Sequence, residues 1–147
     1  MYGGKIWQKA LRFLYPFAKT YWFIFRPTTH GVKVLVKNNS QILLIKQSYG
    51  DNFWTLPGGG MKKEEGWRDT AIREVKEETG LKIFNLNKIK SVFSEKEFKK
   101  DNIDIVIADC DDAQFIIDSF EIVDAHWFSK ENLPSNLSWV ARQALSN

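Results

Sequence analysis

The sequence predicts an α/β domain behind an amphipathic amino-terminal helical extension, and three observations carry that reading. Residues 31–37 (GVKVLVK) and 41–47 (QILLIKQ) are strand patterns joined by the turn-forming Asn38-Asn39-Ser40. Residues 65–79 contain no proline and place Ala71, Ile72, Val75 and Thr79 at helical spacing. Two more strand patterns lie further along, at residues 87–93 and 103–110. At 147 residues, 44% hydrophobic and 27% charged, the chain is one domain's length and can bury a core.

The extension, residues 1–29, differs in composition from the rest of the chain. Nine aromatics fall within residues 1–25, and residues 1–30 carry five basic side chains (Lys5, Lys9, Arg12, Lys19, Arg26) and no acid. The remaining residues hold 16 basic and 18 acidic side chains, a net −2, so the overall +3 belongs to the extension. On a helical wheel Lys5, Gln8, Lys9, Arg12, Pro16 and Lys19 share one arc, and apolar residues fill the other side. Pro16 should kink the helix or split it. Basic residues interrupt every apolar run, which argues against a transmembrane span. Arg12 would break the apolar region of a secretory signal, and Tyr2 excludes myristoylation. Residues 4–22 are expected to lie on a surface: an anionic membrane, this domain, or a second copy in a homodimer. The single cysteine, Cys110, excludes an internal disulfide and suits a reducing cytoplasm, with peripheral attachment at the inner face of a membrane.

Arg26-Pro27-Thr28-Thr29 ends the helical pattern and leads into a domain spanning residues 30–147. The strand at 31–37 alternates Val32, Val34 and Val36 with Lys33 and Lys37, a half-buried pattern, whereas 41–47 reads as more buried. Residues 48–52 form a loop, and Phe53-Trp54-Thr55-Leu56 leads into Pro57-Gly58-Gly59-Gly60. Three glycines there let backbone approach a ligand closely. Tyr49, Phe53 and Trp54 flank this loop and could stack on a base or enter the core.

The helix at 65–79 carries the chemistry. Glu64 and Glu65 sit where a helix start favours negative charge, and Gly80 where a glycine ends a helix. Glu74, Glu77 and Glu78 fall on one arc of about 100°, with Arg73 reaching Glu77 at i,i+4. Such a face is either a solvated acidic surface or a site for hard cations, Mg²⁺ or Mn²⁺, since no His or Cys adjoins it. Beyond it, residues 94–102 form a charged loop carrying Glu95 and Glu97. Residues 121–128 (EIVDAHWF) form a strand with Trp127 inward and His126 outward, and residues 135–146 a closing helix. Neither His30 nor His126 has a partner at zinc-ligand spacing.

From Gly59, five residues lead to Glu65 and seven more to Arg73-Glu74-Val75-Lys76-Glu77-Glu78-Thr79-Gly80-Leu81. This run resembles the Nudix box of the Nudix hydrolases at every specified position, and the similarity extends over residues 31–147. The resemblance implies an α/β/α sandwich with a mixed sheet. It also implies attack by water on the diphosphate linkage of a small nucleoside diphosphate derivative. Carried over by position, Glu74, Glu77 and Glu78 become metal ligands with the Gly59 carbonyl, and Arg73 orients the carboxylates. Glu74 becomes the first candidate base and Glu78 its catalytic partner. Glu95, Glu97 and Glu121 are alternative bases, and Glu65 supports the loop. Gly58, Gly59, Gly60, Trp54 and Tyr49 become the substrate-binding set. An RNA 5′-end pyrophosphohydrolase is the runner-up, although the domain's net −2 and its lack of an RNA-binding motif argue against nucleic acid. A non-catalytic nucleotide sensor or scaffold is the third reading, and such proteins usually lose box carboxylates.

Overall fold

The computed structural model describes residues 3–25, 28–95, 100–117 and 120–146. In chain order the elements are α1 (Gly3–Phe25), β1 (Thr28–Asn38), β2 (Gln41–Gln47), α2 (Trp67–Thr79), β3 (Ile83–Ser94), β4 (Lys100–Cys110), β5 (Ile122–Ser129) and α3 (Trp139–Leu145). A 3₁₀ turn, Lys130–Asn132, succeeds β5. The strands form one five-stranded sheet in the order β3-β4-β1-β2-β5. Only β1 and β4 run parallel; the other neighbours are antiparallel.

Alternation along the strands divides the core into two layers. Val32, Val34, Val36, Leu43 and Ile45 face α2, where they meet Ala71 and Val75. Leu35, Ile42 and Leu44 point the other way and meet Val140, Ala141 and Ala144 of α3. The run QILLIKQ is apolar on consecutive residues because β2 is covered on both faces. Helix, sheet and helix thus form the α/β/α sandwich that the resemblance implies. Trp127 packs against the α2-side layer, while His126 faces out beside Asp124 at 3.0 Å.

Several boundaries move, each for a local reason. Helix α2 starts at Trp67 rather than residue 65, because Gly66 takes the N-cap and the Asp69 carboxylate accepts from its N–H at 3.4 Å. It ends as predicted on Gly80, whose φ of 71° is left-handed and whose N–H reaches Lys76 O at 2.9 Å. Helix α3 is shorter than residues 135–146. Residues 136–138 pair with Trp54 instead, and Ser138 caps the helix by accepting from Ala141 N–H at 3.2 Å. Strand β4 begins at Lys100 and β3 ends at Ser94, absorbing both ends of the predicted charged loop, and β3 starts at Ile83 rather than residue 87. Helix α1 runs through Pro16 and is not split there.

Candidate active site

The site begins with a gap in the sheet. β1 and β2 pair only beside their turn, at Lys37–Ile42 and Asn38–Gln41, and then diverge. The segment leaving β2 fills the opening. Thr55 pairs with Ile45 of β2, while Val34 N–H donates to Pro57 O at 2.8 Å and Val32 N–H to Gly59 O at 3.0 Å on β1. Backbone hydrogen bonds that the strands do not give each other therefore fix the glycine loop. Gly58 has a φ of 132°, and a Cβ there would strike the Val32 carbonyl. At Gly59 a Cβ would lie 2.6 Å from Glu74 Oε2, so the carboxylate can rest on the loop only because no side chain stands there.

Helix α2 brings its carboxylates to this loop unequally. Glu78 is 3% exposed and accepts from Gly58 N–H at 2.8 Å. Burial pushes its carboxyl up to about 7; the Lys33 charge and the Gly58 N–H oppose the rise, and Glu74 and Glu121 add to it. Lys33 Nζ donates to Leu56 O at 3.1 Å and Gly58 O at 2.7 Å, tying β1 to the loop and supplying positive charge beside it. Glu74 is partly buried, but Glu77 is more exposed, with its Oε2 3.2 Å from Arg73 Nη1.

Arg73 binds the loop to the helix. It donates to Glu65 at 2.7 and 2.8 Å, to Glu74 at 2.5 Å and to Gly60 O at 3.0 Å, besides Glu77. The hydrogen bonds to Glu65 are the largest cause holding the guanidinium charged, and the same contacts pull the Glu65 carboxyl down to about 2. Glu65 also accepts from Lys62 N–H at 3.1 Å and Thr70 Oγ1 at 3.0 Å, which pins the turn before α2.

Beside the loop lies a cleft of about 380 Å³, walled by Tyr49, Lys33, His30, Gly58–Gly60 and Tyr15. A larger hollow, about 650 Å³, lies at the other end of β1 around Lys37 and Arg68, away from the carboxylates. The Tyr49 hydroxyl is held above its ordinary range by burial first, then by the charges of Glu121, Glu78 and Glu74. The phenol thus lies within the electrostatic reach of carboxylates from both α2 and the segment before β5. Glu121 enters from the turn before β5, where its carbonyl accepts from Ser48 N–H at 2.7 Å. Glu95 is exposed at the end of β3, and Glu97 falls outside the described residues.

One residue of the expected substrate-binding set lies in the core. Trp54 is 7% exposed and belongs to the α3-side layer, with Phe128 edge-on at 5.0 Å and Lys46 Nζ 4.7 Å over its ring. The pairing of Thr55 with Ile45 turns this indole away from the carboxylates, so it supports the loop from behind. Conversely, two cleft residues carry no signal in the sequence. Lys33 has the alternation of a solvated strand face, and Tyr15 belongs to the extension. Arg12 Nε donates to Ser48 O at 2.9 Å, and the Tyr15 ring stands 6.0 Å from that of Tyr49, which brings α1 to the cleft wall.

The family model described as NUDIX domain matches residues 27–147. The chain belongs to the Nudix family, as its box implied. It is a Nudix hydrolase. A putative 8-oxo-dGTP diphosphatase of Bacillus subtilis is 31% identical over 106 residues, covering 72% of this chain and 70% of that protein. The NAD-capped RNA hydrolase NudC of Erwinia tasmaniensis is 29% identical over 102 residues, covering 69% of this chain but only 38% of its own length. Among solved structures, a MutT NUDIX hydrolase from Burkholderia pseudomallei shares the fold with a TM-score of 0.75 at 22% identity, over 81% of this chain and 96% of that one.

The side chains bear on the divalent cation that the family implies. Among the described residues no three carboxylate, His or Cys side chains are gathered around one point. Arg73 draws Glu74 and Glu77 toward itself, and Glu78 is turned to Gly58. The donor set nonetheless fits a hard cation. Glu78 is a buried carboxyl raised to about 7 beside two further carboxylates, and an adjacent positive charge would relieve that strain.

Proposed function

We propose that this Nudix hydrolase is a Mg²⁺- or Mn²⁺-dependent pyrophosphohydrolase that cleaves the diphosphate linkage of a small nucleoside diphosphate derivative. The observation that carries the proposal is the placement of Glu78 against Gly58 N–H and of Glu74 against Gly59, on the glycine loop that lines a cleft of about 380 Å³. That volume lies within the range of ordinary small-ligand sites. A bare carboxylate cluster would repel a diphosphate, so the site makes sense with cations between the two.

Glu74, Glu77 and Glu78 would hold the cation together with the Gly59 carbonyl, whose oxygen takes one hydrogen bond from Val32 and keeps a second lone pair. When bound, the metal offsets phosphate charge and makes water a stronger acid. The chain's own groups do the rest. Glu74, resting on Gly59 and steered by Arg73, accepts the proton of the attacking water, with Glu121 or Glu95 as substitutes for that role. The water oxygen forms a bond to one phosphorus as the bridging P–O bond breaks, and the leaving phosphate departs with the electron pair. Tyr49 presents a ring to the rest of the substrate, and Gly58–Gly60 let the diphosphate approach backbone.

A panel of nucleoside diphosphate derivatives, nucleoside triphosphates and 5′-capped or 5′-triphosphorylated RNA, each with Mg²⁺ and with chelator, tests this reading. The expected result is metal-dependent cleavage of a small nucleotide, with product masses that show a split diphosphate. RNA cleavage alone would replace the substrate class. Nucleotide binding without any product would make the protein a sensor.

A further inference from the structure

Helix α1 divides its surface in two. Leu11, Tyr15 and Ala18 lie on the half-buried side, where Tyr15 meets the cleft wall and Arg12 is anchored on Ser48. Away from the domain stand Ile6, Phe13, Leu14, Phe17, Tyr21 and Ile24, all at least 53% exposed, on an arc of about 100° at 100° per residue. Six large apolar side chains in one stripe exceed the scattered exposure normal for a protein in water.

We propose that this stripe docks the enzyme on an anionic phospholipid bilayer, with α1 lying flat in the interface. Charge selects the occupant. The segment carries five cations and no acid through residue 30, and Lys9 flanks the stripe directly. A second copy laid against it would bring the same excess of positive charge alongside, whereas anionic headgroups supply counter-charge along its whole length. The catalytic domain, net −2, adds no attraction of its own. Among the described residues no helix is long and apolar enough to cross a membrane, and the 23 residues of α1 suit an in-plane helix with lysines reaching up to the headgroups. Because Tyr15 is on the far side of the same helix, bilayer and cleft lie on different sides of α1.

The test uses the full chain with vesicles containing about 30% phosphatidylglycerol in phosphatidylcholine, against phosphatidylcholine alone. The chain should cosediment with the anionic vesicles and come off them substantially at about 0.5 M salt. Phe13→Ser, Phe17→Ser and Ile24→Ser together should lower partitioning roughly a hundredfold. Their side chains touch solvent, so Tm should hold. Lys5→Glu with Lys9→Glu should abolish the preference for anionic over neutral vesicles. Absence of binding to anionic vesicles, or equal binding by the triple-serine variant, would overturn the proposal. So would a lipid-independent dimer that the triple-serine variant makes monomeric while vesicles bind neither protein.

Discussion

The N–H of Gly58 donates to the carboxylate of Glu78 across 2.8 Å, joining the glycine loop to the last turn of α2 in a place that water scarcely reaches. One buried acid thus supports the loop and, in the proposed reaction, would offer oxygen to the cation. Glu78→Gln keeps the shape and removes the charge. Turnover should fall roughly a hundredfold to a thousandfold, the scale of losing transition-state electrostatics. The Tm increment given by Mg²⁺ should also shrink, which differential scanning fluorimetry with and without chelator reads independently of catalysis.

The same residue sets a pH dependence. Folding raises the Glu78 carboxyl from 4.5 to about 7. Its contribution to stability is therefore complete below the unfolded value and is lost as pH rises through about 7. In chelator, Tm should decline between about pH 5 and about pH 8, and Glu78→Gln should flatten that slope. Mg²⁺ should restore more stability at the upper end than at the lower, because the cation competes with a proton.

Glu65 carries the opposite sign. Its carboxyl is pulled from 4.5 down to about 2, first by hydrogen bonds from Arg73. The stabilisation it gives is present above the unfolded value and disappears as pH falls toward about 2. Acid unfolding of Glu65→Gln should begin from a lower Tm and be less steep in that window than for the unaltered chain.

Gly58→Ala should damage the fold itself. The residue sits at a φ of 132°, and the new methyl meets the Val32 carbonyl, which belongs to a central strand. Strain of this kind costs about 2–3 kcal/mol. For a domain of this size that corresponds to a fall in Tm on the order of 8 °C. Gly60→Ala is the control, since a Cβ there meets nothing within 4 Å.

Tyr15→Ala tests whether the extension shapes the cleft. Its ring walls the cleft beside Tyr49, so KM should rise severalfold while kcat holds, the pattern of lost uniform binding. Unchanged KM for every substrate of the panel would remove Tyr15 from recognition.

Local pattern is enough for most of the fold. Val32, Val34 and Val36 announce a strand with one face inward, Gly80 a helix end, and the spacing from Gly59 to Leu81 the loop and its helix. The features that local pattern misses depend on long-range pairing. Trp54 looks like any aromatic beside a glycine loop until the Ile45–Thr55 bridge shows which way it points. Lys33 alternates as a solvated residue should, yet carbonyls of a loop more than twenty residues away receive its ammonium. Glu77 shares an arc with Glu74 and Glu78, but only the packing of α2 decides that it is the one left facing solvent. The α2 start lies later than its charges suggest, because Glu65 is acidic enough for a first turn while its side chain is committed to Arg73.

A single guanidinium serves Glu65, Glu74, Glu77 and the Gly60 carbonyl. Substitutions at these positions are therefore epistatic, since each changes what Arg73 does for the other three. Once Arg73 is replaced, Glu65 and Glu77 have no shared cation to bring them together, and a later change at Glu65 costs less than it does beside the arginine. A lineage that loses this arginine weakens the selection that keeps Glu65, so reversion grows harder once Glu65 has changed as well.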